Sequence, residues 1–157
     1  PVRSSYNNAH AYLSAPYGIY KTKDGFIAIA MTPVPALGKL LNLQEIEKYT
    51  DQKEWFTKRD EIKKIIGDWL INENTKFWLD ILQPADIWCS EVLNWDQMMK
   101  NEGFKIVDML QRITRSDGLD IQTLRCPIRI DNQIFKSEKA APIVGQDTKK
   151  IIQEFSL

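Results

Sequence analysis

The chain has 157 residues, 43% of them hydrophobic and five of them tryptophan, enough apolar material for one folded domain with a sizeable core. Twenty-one basic residues balance 21 acidic ones, and no Lys/Arg cluster is interleaved with aromatics, which argues against a nucleic-acid partner. No apolar run approaches the roughly 20 residues of a membrane helix and no signal peptide opens the chain, so no membrane association is expected and the cytoplasm is the expected compartment.

Residues 1–14 are polar and small, with Ser4, Ser5, Asn7 and Asn8, and lack apolar periodicity; they read as a linker. Tyr17 and Ile19 on one side of Lys23-Asp24-Gly25, and Phe26 with the run from Ile27 to Ala30 on the other, predict a β-hairpin. Gly25 is expected to take the positive φ that other residues resist. Pro33 and Pro35 open a helix with Leu37, Leu40 and Leu41 inward, ending near Asn42, and a short helix follows over 44–49. Asp51 and Glu54 form a capping box for one helix running from 51 to about 71, whose apolar stripe is Trp55, Ile62, Ile65, Ile66, Trp69 and Leu70. Lys58, Arg59, Lys63 and Lys64 between them read as its solvated face. Asn74 caps a further helix with Phe77, Trp78, Ile81 and Leu82 inward, ended by Pro84.

Asn94 and Gln97 repeat the capping pattern, and Gly103 suits a left-handed C-terminal cap. Arg115-Ser116-Asp117-Gly118 favours a second hairpin leading into 119–124 and 127–130, with a helix over 106–113 as the alternative. A terminal helix over 146–155 should pack through Ile151, Ile152 and Phe155. The fold class is α+β, a small antiparallel sheet built from hairpins with several packed helices. Cys89 and Cys126 have no metal-binding spacing and read as reduced core thiols.

Little here resembles a self-contained catalytic apparatus. The one histidine, His10, lies in the linker, no Gly-x-Ser-x-Gly turn accompanies it, and seven glycines scattered singly form no phosphate-cradling loop. One histidine and two distant cysteines make a poor metal set, so no metal site is assigned, although carboxylates alone can bind magnesium. Asp24 reads as a turn residue, Asp51 as a cap, and Asp86 and Asp96 as flanking a short strand and helix.

Three segments in order carry a family resemblance. The first is the hairpin Ala15 to Met31, with Tyr17-Gly18-Ile19-Tyr20, a basic residue, Asp24-Gly25 and an aliphatic strand. The second runs from Gln83-Pro84-Ala85-Asp86-Ile87-Trp88 through Glu91-Val92-Leu93 to Glu102-Gly103-Phe104. The third is Arg125-Cys126-Pro127-Ile128-Arg129-Ile130 followed by Ala141-Pro142-Ile143-Val144-Gly145-Gln146-Asp147-Thr148. Together they resemble the small domain of family III CoA-transferases, the CaiB/BaiF family.

That resemblance implies a C-terminal portion of a longer enzyme: 1–14 a linker from a missing N-terminal domain, 15–145 the small domain, and 146–157 a C-terminal helix. The family transfers CoA between carboxylic acids through acyl-aspartyl and aspartyl-CoA intermediates, with the aspartate as covalent nucleophile. The nucleophile and most CoA contacts belong to the preceding larger domain, so no catalytic residue is assigned here and this chain alone should be inactive. Some members cover the reacting aspartate with a glycine-rich loop just before the hairpin; the corresponding residues, 8–14, are not glycine-rich, which leaves the acyl group unspecified. Within them His10 and Tyr12 are the candidate substrate-binding residues. No permanently bound cofactor is implied, CoA thioester being a substrate, and the partners are acyl-CoA, a carboxylate and a second copy in an interlocked homodimer. The alternatives are a 2-methylacyl-CoA racemase fragment or a stand-alone, non-catalytic binding domain.

Overall fold

The computed structural model describes residues 3–6 and 10–156. Asn7, Asn8 and Ala9, to which part of the linker and loop expectations refer, lie outside the described residues, as do Pro1, Val2 and Leu157. The chain forms two compact units, Pro1–Asn94 and Trp95–Leu157. No described helix is long and apolar enough to cross a membrane.

Unit 1 begins with the predicted hairpin, β1 (Gly18–Lys21) and β2 (Phe26–Ile29), paired antiparallel from Gly18↔Ile29 to Lys21↔Phe26. A third strand, β3 (Cys89–Glu91), returns antiparallel to the other edge of β2, placing Ser90 opposite Ala28. Strand side chains alternate between faces. Tyr20, Ile27 and Ile29 therefore enter the core, while Ile19 and Phe26 stand outside.

Four of the five helices among the described residues of the unit contribute buried apolar residues beneath the sheet: α1 (Val34–Leu41), α2 (Gln44–Glu47), α4 (Arg59–Leu70) and α5 (Thr75–Leu82). Val34, Leu37 and Leu41 of α1, Ile46 of α2, Ile62, Ile66 and Leu70 of α4, and Trp78 and Leu82 of α5 close the core. As predicted, α1 ends at Asn42, which takes a left-handed φ of 51°. A side chain at Gly38 would meet the Leu43 carbonyl at 3.1 Å and Ile46 at 3.0 Å, so this glycine permits the tight packing of α1 on α2.

The single helix expected over 51–71 is two helices, α3 (Gln52–Thr57) and α4, broken at Lys58. Two carbonyls that a continuous helix would use are taken by other donors: Ala15 N donates to Trp55 O at 2.8 Å, and Arg59 Nη1 to Phe56 O at 2.8 Å. Asp51 does cap α3, its side chain accepting from Lys53 N at 2.9 Å. The basic residues also depart from the expected solvated face. Lys64 is exposed and paired with Asp68, but Arg59 is only 6% exposed, its guanidinium lying over the Phe56 ring, and Lys63 is fully buried.

Three other expectations for unit 1 need correction. Gly25 does not have positive φ; a Cβ there would lie 3.2 Å from Thr75 Oγ1, so the glycine serves close approach of turn to helix. Asn74 makes no side-chain cap on α5; Asp24 of the hairpin turn accepts from Thr75 N at 2.8 Å instead. Phe77, expected inward, is exposed, while Trp78 and Leu82 are buried.

Unit 2 comprises α6 (Trp95–Lys100), α7 (Glu102–Val107), the hairpin β4 (Leu110–Thr114) and β5 (Asp120–Leu124), the small hairpin β6 (Arg129–Ile130) and β7 (Gln133–Ile134), and α8 (Thr148–Phe155). Thr114 pairs with Asp120 across the predicted turn, where Gly118 takes a φ of 83°. The helical alternative for 106–113 therefore stops at Val107. Gly103 is not a C-cap but lies in the first turn of α7, because the Asn101 side chain accepts from Phe104 N at 3.3 Å and starts that helix; Asp108 takes the left-handed position. The β6–β7 turn, unpredicted, uses positive φ at Asp131 and Asn132, the geometry of a two-residue hairpin. Ile151, Ile152 and Phe155 are exposed, so α8 does not bury the face expected to pack. Both cysteines are free, but Cys126 is exposed, and only Cys89 packs against a core.

Candidate functional site

A cleft of about 480 Å³ lies at the sheet of unit 1, lined by Tyr17, Ile19, Ala28, Trp88 and Ser90 among others. The register builds it. Ile19 opposes Ala28, and Ala28 opposes Ser90, so three strands deliver one row of side chains to the same face. Ala30 N donates to Trp88 O at 2.8 Å, which anchors the loop carrying the indole, and Trp88 is 77% exposed. The small Ala28 at the centre leaves room between Ile19 and the indole.

Local bonds tie the β1–β2 turn to the start of α5. Thr22 Oγ1 and Thr75 Oγ1 are 2.6 Å apart in the buried turn, Gly25 N donates to Thr22 Oγ1 at 3.1 Å, and Lys23 N donates to Glu73 O at 2.9 Å. The Asp24 carboxyl is held below its ordinary value, first by the Thr75 backbone donor. It is therefore an acceptor locked into the turn. Tyr20 Oη donates to Pro16 O at 2.5 Å beneath the same strand.

The chemistry available to the cleft is that of a wall. Burial pushes the Cys89 thiol up, so it stays protonated at neutral pH and is a weak nucleophile. Ser90 Oγ donates to the Glu91 carbonyl at 3.2 Å, which leaves its proton on a backbone acceptor and not on a general base. Apolar side chains and a large exposed indole suit contact with an apolar group or another protein surface. Among the described residues no group of three or more His, Cys, Asp or Glu could hold a metal ion.

His10 and Tyr12 are brought together, but away from this cleft, which neither lines. Tyr12 N donates to His10 Nδ1 at 3.1 Å, their rings meet edge-on with centroids 6.3 Å apart, and both side chains are exposed. Asp24 and Asp51 serve as turn and cap acceptors, as read, and Asp86 takes a φ of 59° after α5. Trp88 was not singled out from the sequence. Its signal was present in the alternation of Ile87 and Cys89, packed on the core, with outward Trp88 and Ser90.

Comparison with known proteins places these features. The sequence profile of CoA-transferase family III matches residues 1–148. An (R)-2-hydroxy-4-methylpentanoate CoA-transferase of Clostridioides difficile is 23% identical over 142 residues, covering 85% of this chain and 36% of that protein. An alpha-methylacyl-CoA racemase of Homo sapiens is 25% identical over 147 residues, covering 88% of this chain and 36% of that protein. The structure of a CaiB/BaiF family protein from Brucella suis aligns with a TM-score of 0.59 at 21% identity, over 94% of this chain and 39% of its own, which shows a common fold. The chain thus spans little more than a third of the length of the relatives it matches.

Proposed function

Because the chain belongs to CoA-transferase family III, we propose that it is the small-domain portion of a polypeptide that moves CoA from one carboxylic acid to another. The observation that carries this reading is the family match over residues 1–148. It is supported by the site chemistry: an apolar wall at Ile19, Ala28 and Trp88, beside which lie a protonated thiol and a serine whose hydroxyl donates to a backbone carbonyl. A covalent carboxylate nucleophile, which conserves thioester activation as an aspartyl-CoA intermediate, would come from the part of the protein preceding this chain. The domain assignment is 1–14 linker, 15–145 small domain and 146–157 C-terminal helix. His10 and Tyr12, adjacent and exposed, are the residues assigned to substrate contact. The assembled enzyme is an interlocked cytoplasmic homodimer taking acyl-CoA and carboxylate as substrates, with no permanently held cofactor.

A second reading, an acyl-CoA racemase, is favoured by the human relative at 25% identity. The two reactions separate in one experiment on the complete polypeptide carrying this chain. Acyl-CoA is supplied with an isotopically labelled free carboxylate in deuterated water. Label entering the thioester pool supports the transferase; deuterium appearing at the α-carbon without label transfer replaces it with the racemase. Neither signal across a range of acyl groups leaves the non-catalytic binding domain.

A further inference from the structure

One stripe of α4 meets the segment formed by residues 3–6 at two points. Asp60, Lys63 and Gly67 recur at helical spacing and lie along one side of the helix. At the first point the Asp60 carboxylate accepts hydrogen bonds from Ser4 Oγ, from Ser5 N at 2.9 Å and from Ser5 Oγ at 2.7 Å. At the second, the Tyr6 hydroxyl approaches Gly67 so closely that a methyl there would collide with it. Lys63 lies on the helix between these points, is 0% exposed, and its Nζ has no hydrogen-bond partner among the described residues.

We propose that residues 3–6 form a strap over α4 whose closure is coupled to loss of a proton from Lys63, the closed strap covering a neutral amine and the open strap releasing an ammonium into water. A buried, unpaired ammonium is strongly disfavoured, whereas a neutral amine tolerates an apolar setting far better. The charged and titratable groups around it do not reverse that balance. On α4 itself Asp60 favours the ammonium and Arg59 opposes it, and burial, the largest influence, pushes the Lys63 pKa down. Farther along the stripe the Tyr6 hydroxyl and Tyr20 of β1 lie at the Gly67 position, where Tyr6 also feels Asp68 and Lys64, and Arg3 lies beside Arg59 and Asp60 at the start of α4. The Asp60 carboxylate is already occupied by three donors from the strap.

The sign of the pH dependence follows. Below the lowered Lys63 pKa both strap states hold the proton, and closure does not respond to pH. Between that value and the ordinary lysine value of 10.5, closure releases one proton and strengthens by up to about tenfold per pH unit. Tyr6 limits the upper end: burial raises its hydroxyl above 10.0, so its contribution is complete below that value and is lost as the pH climbs through the raised one. The Asp60 latch is constant across this range. Ser4 above all, then Ser5, holds its carboxyl at about 2, so its contribution is complete above 3.8 and fades as the pH falls through about 2.

Hydrogen exchange at the Ser4 and Ser5 amides, corrected for intrinsic rate, reads strap closure, since these amides donate to Ala11 O and to Asp60. Expected is protection in Lys63→Met that exceeds wild type at neutral pH and no longer rises with pH. Competitive acetylation of Lys63 against exposed Lys64 supplies an independent readout: Lys63 reacts at least tenfold more slowly in the wild type, and Asp60→Asn removes most of that difference. Equal Ser5 protection in wild type and Lys63→Met at every pH overturns the proposal, as does a wild-type Lys63 that acetylates as fast as Lys64.

Discussion

The two units use their apolar residues in opposite ways. Unit 1 buries a continuous core drawn from strands and helices, with Ile27, Val34, Leu37, Ile46, Ile62, Ile66, Leu70 and Leu82 fully covered. In unit 2 the one buried residue among those described is Arg125, at 3% exposure, while Leu119, Ile130, Val144, Ile151 and Phe155 remain exposed. What orders unit 2 is polar. The Arg125 guanidinium donates to the carbonyls of Asp108, of Val107 at 2.6 Å and of Cys126 at 2.5 Å, tying the end of α7 to the end of β5. Hairpin ladders and one forked cation can define a shape, but hydrophobic burial is the dominant favourable term in folding, and it is concentrated in unit 1.

The largest expected effect tests the core. Leu70→Ala, at a fully covered position, should cost about 2–5 kcal/mol in denaturant unfolding followed by tryptophan fluorescence. A loss below about 1 kcal/mol would mean that the core collapses around the gap and that the contrast between the units is overstated. Next comes the polar tether. Arg125→Ala should open the α7–β4–β5 region by about 1.5–3 kcal/mol, seen as faster amide exchange in β4 with unit 1 protection unchanged. Arg125→Lys should rescue little, because an ammonium cannot present a planar fork to three carbonyls. The smallest effect sharpens the comparison from the other side. Ile151→Ser on α8 should change stability by no more than about 0.5 kcal/mol, and a cost approaching that of Leu70→Ala would show this face to be covered in solution.

Much of the local structure was legible in the residues. Asp24-Gly25 and Asp117-Gly118 marked two hairpins, Pro33 and Asn42 bounded α1, and Thr75–Leu82 followed its periodicity. The break at Lys58 was not legible, because its causes lie outside the helix: the carbonyl of Trp55 is claimed by Ala15, some forty positions earlier in the chain. The burial of Lys63 was hidden for a related reason. Charge and spacing place a lysine on a helix face, but what packs against that face decides whether it meets water.

The candidate cleft divides in the same way. Outward alternation of Ile19, Ala28 and Trp88 is written in the strands, and His10 and Tyr12 are recognisable as residue types capable of contact. Local spacing was enough to place most helical stripes, the two Asp-Gly hairpins and the family, since each depends on short patterns set by backbone sterics and side-chain spacing. Long-range packing settled that Asp24 caps α5, that Ser4 and Ser5 bind Asp60, and that the helices cover one sheet face and leave the other open. Those outcomes join residues more than fifty positions apart, and such pairings are chosen by which surfaces pack together, a property of the whole fold that local spacing does not encode.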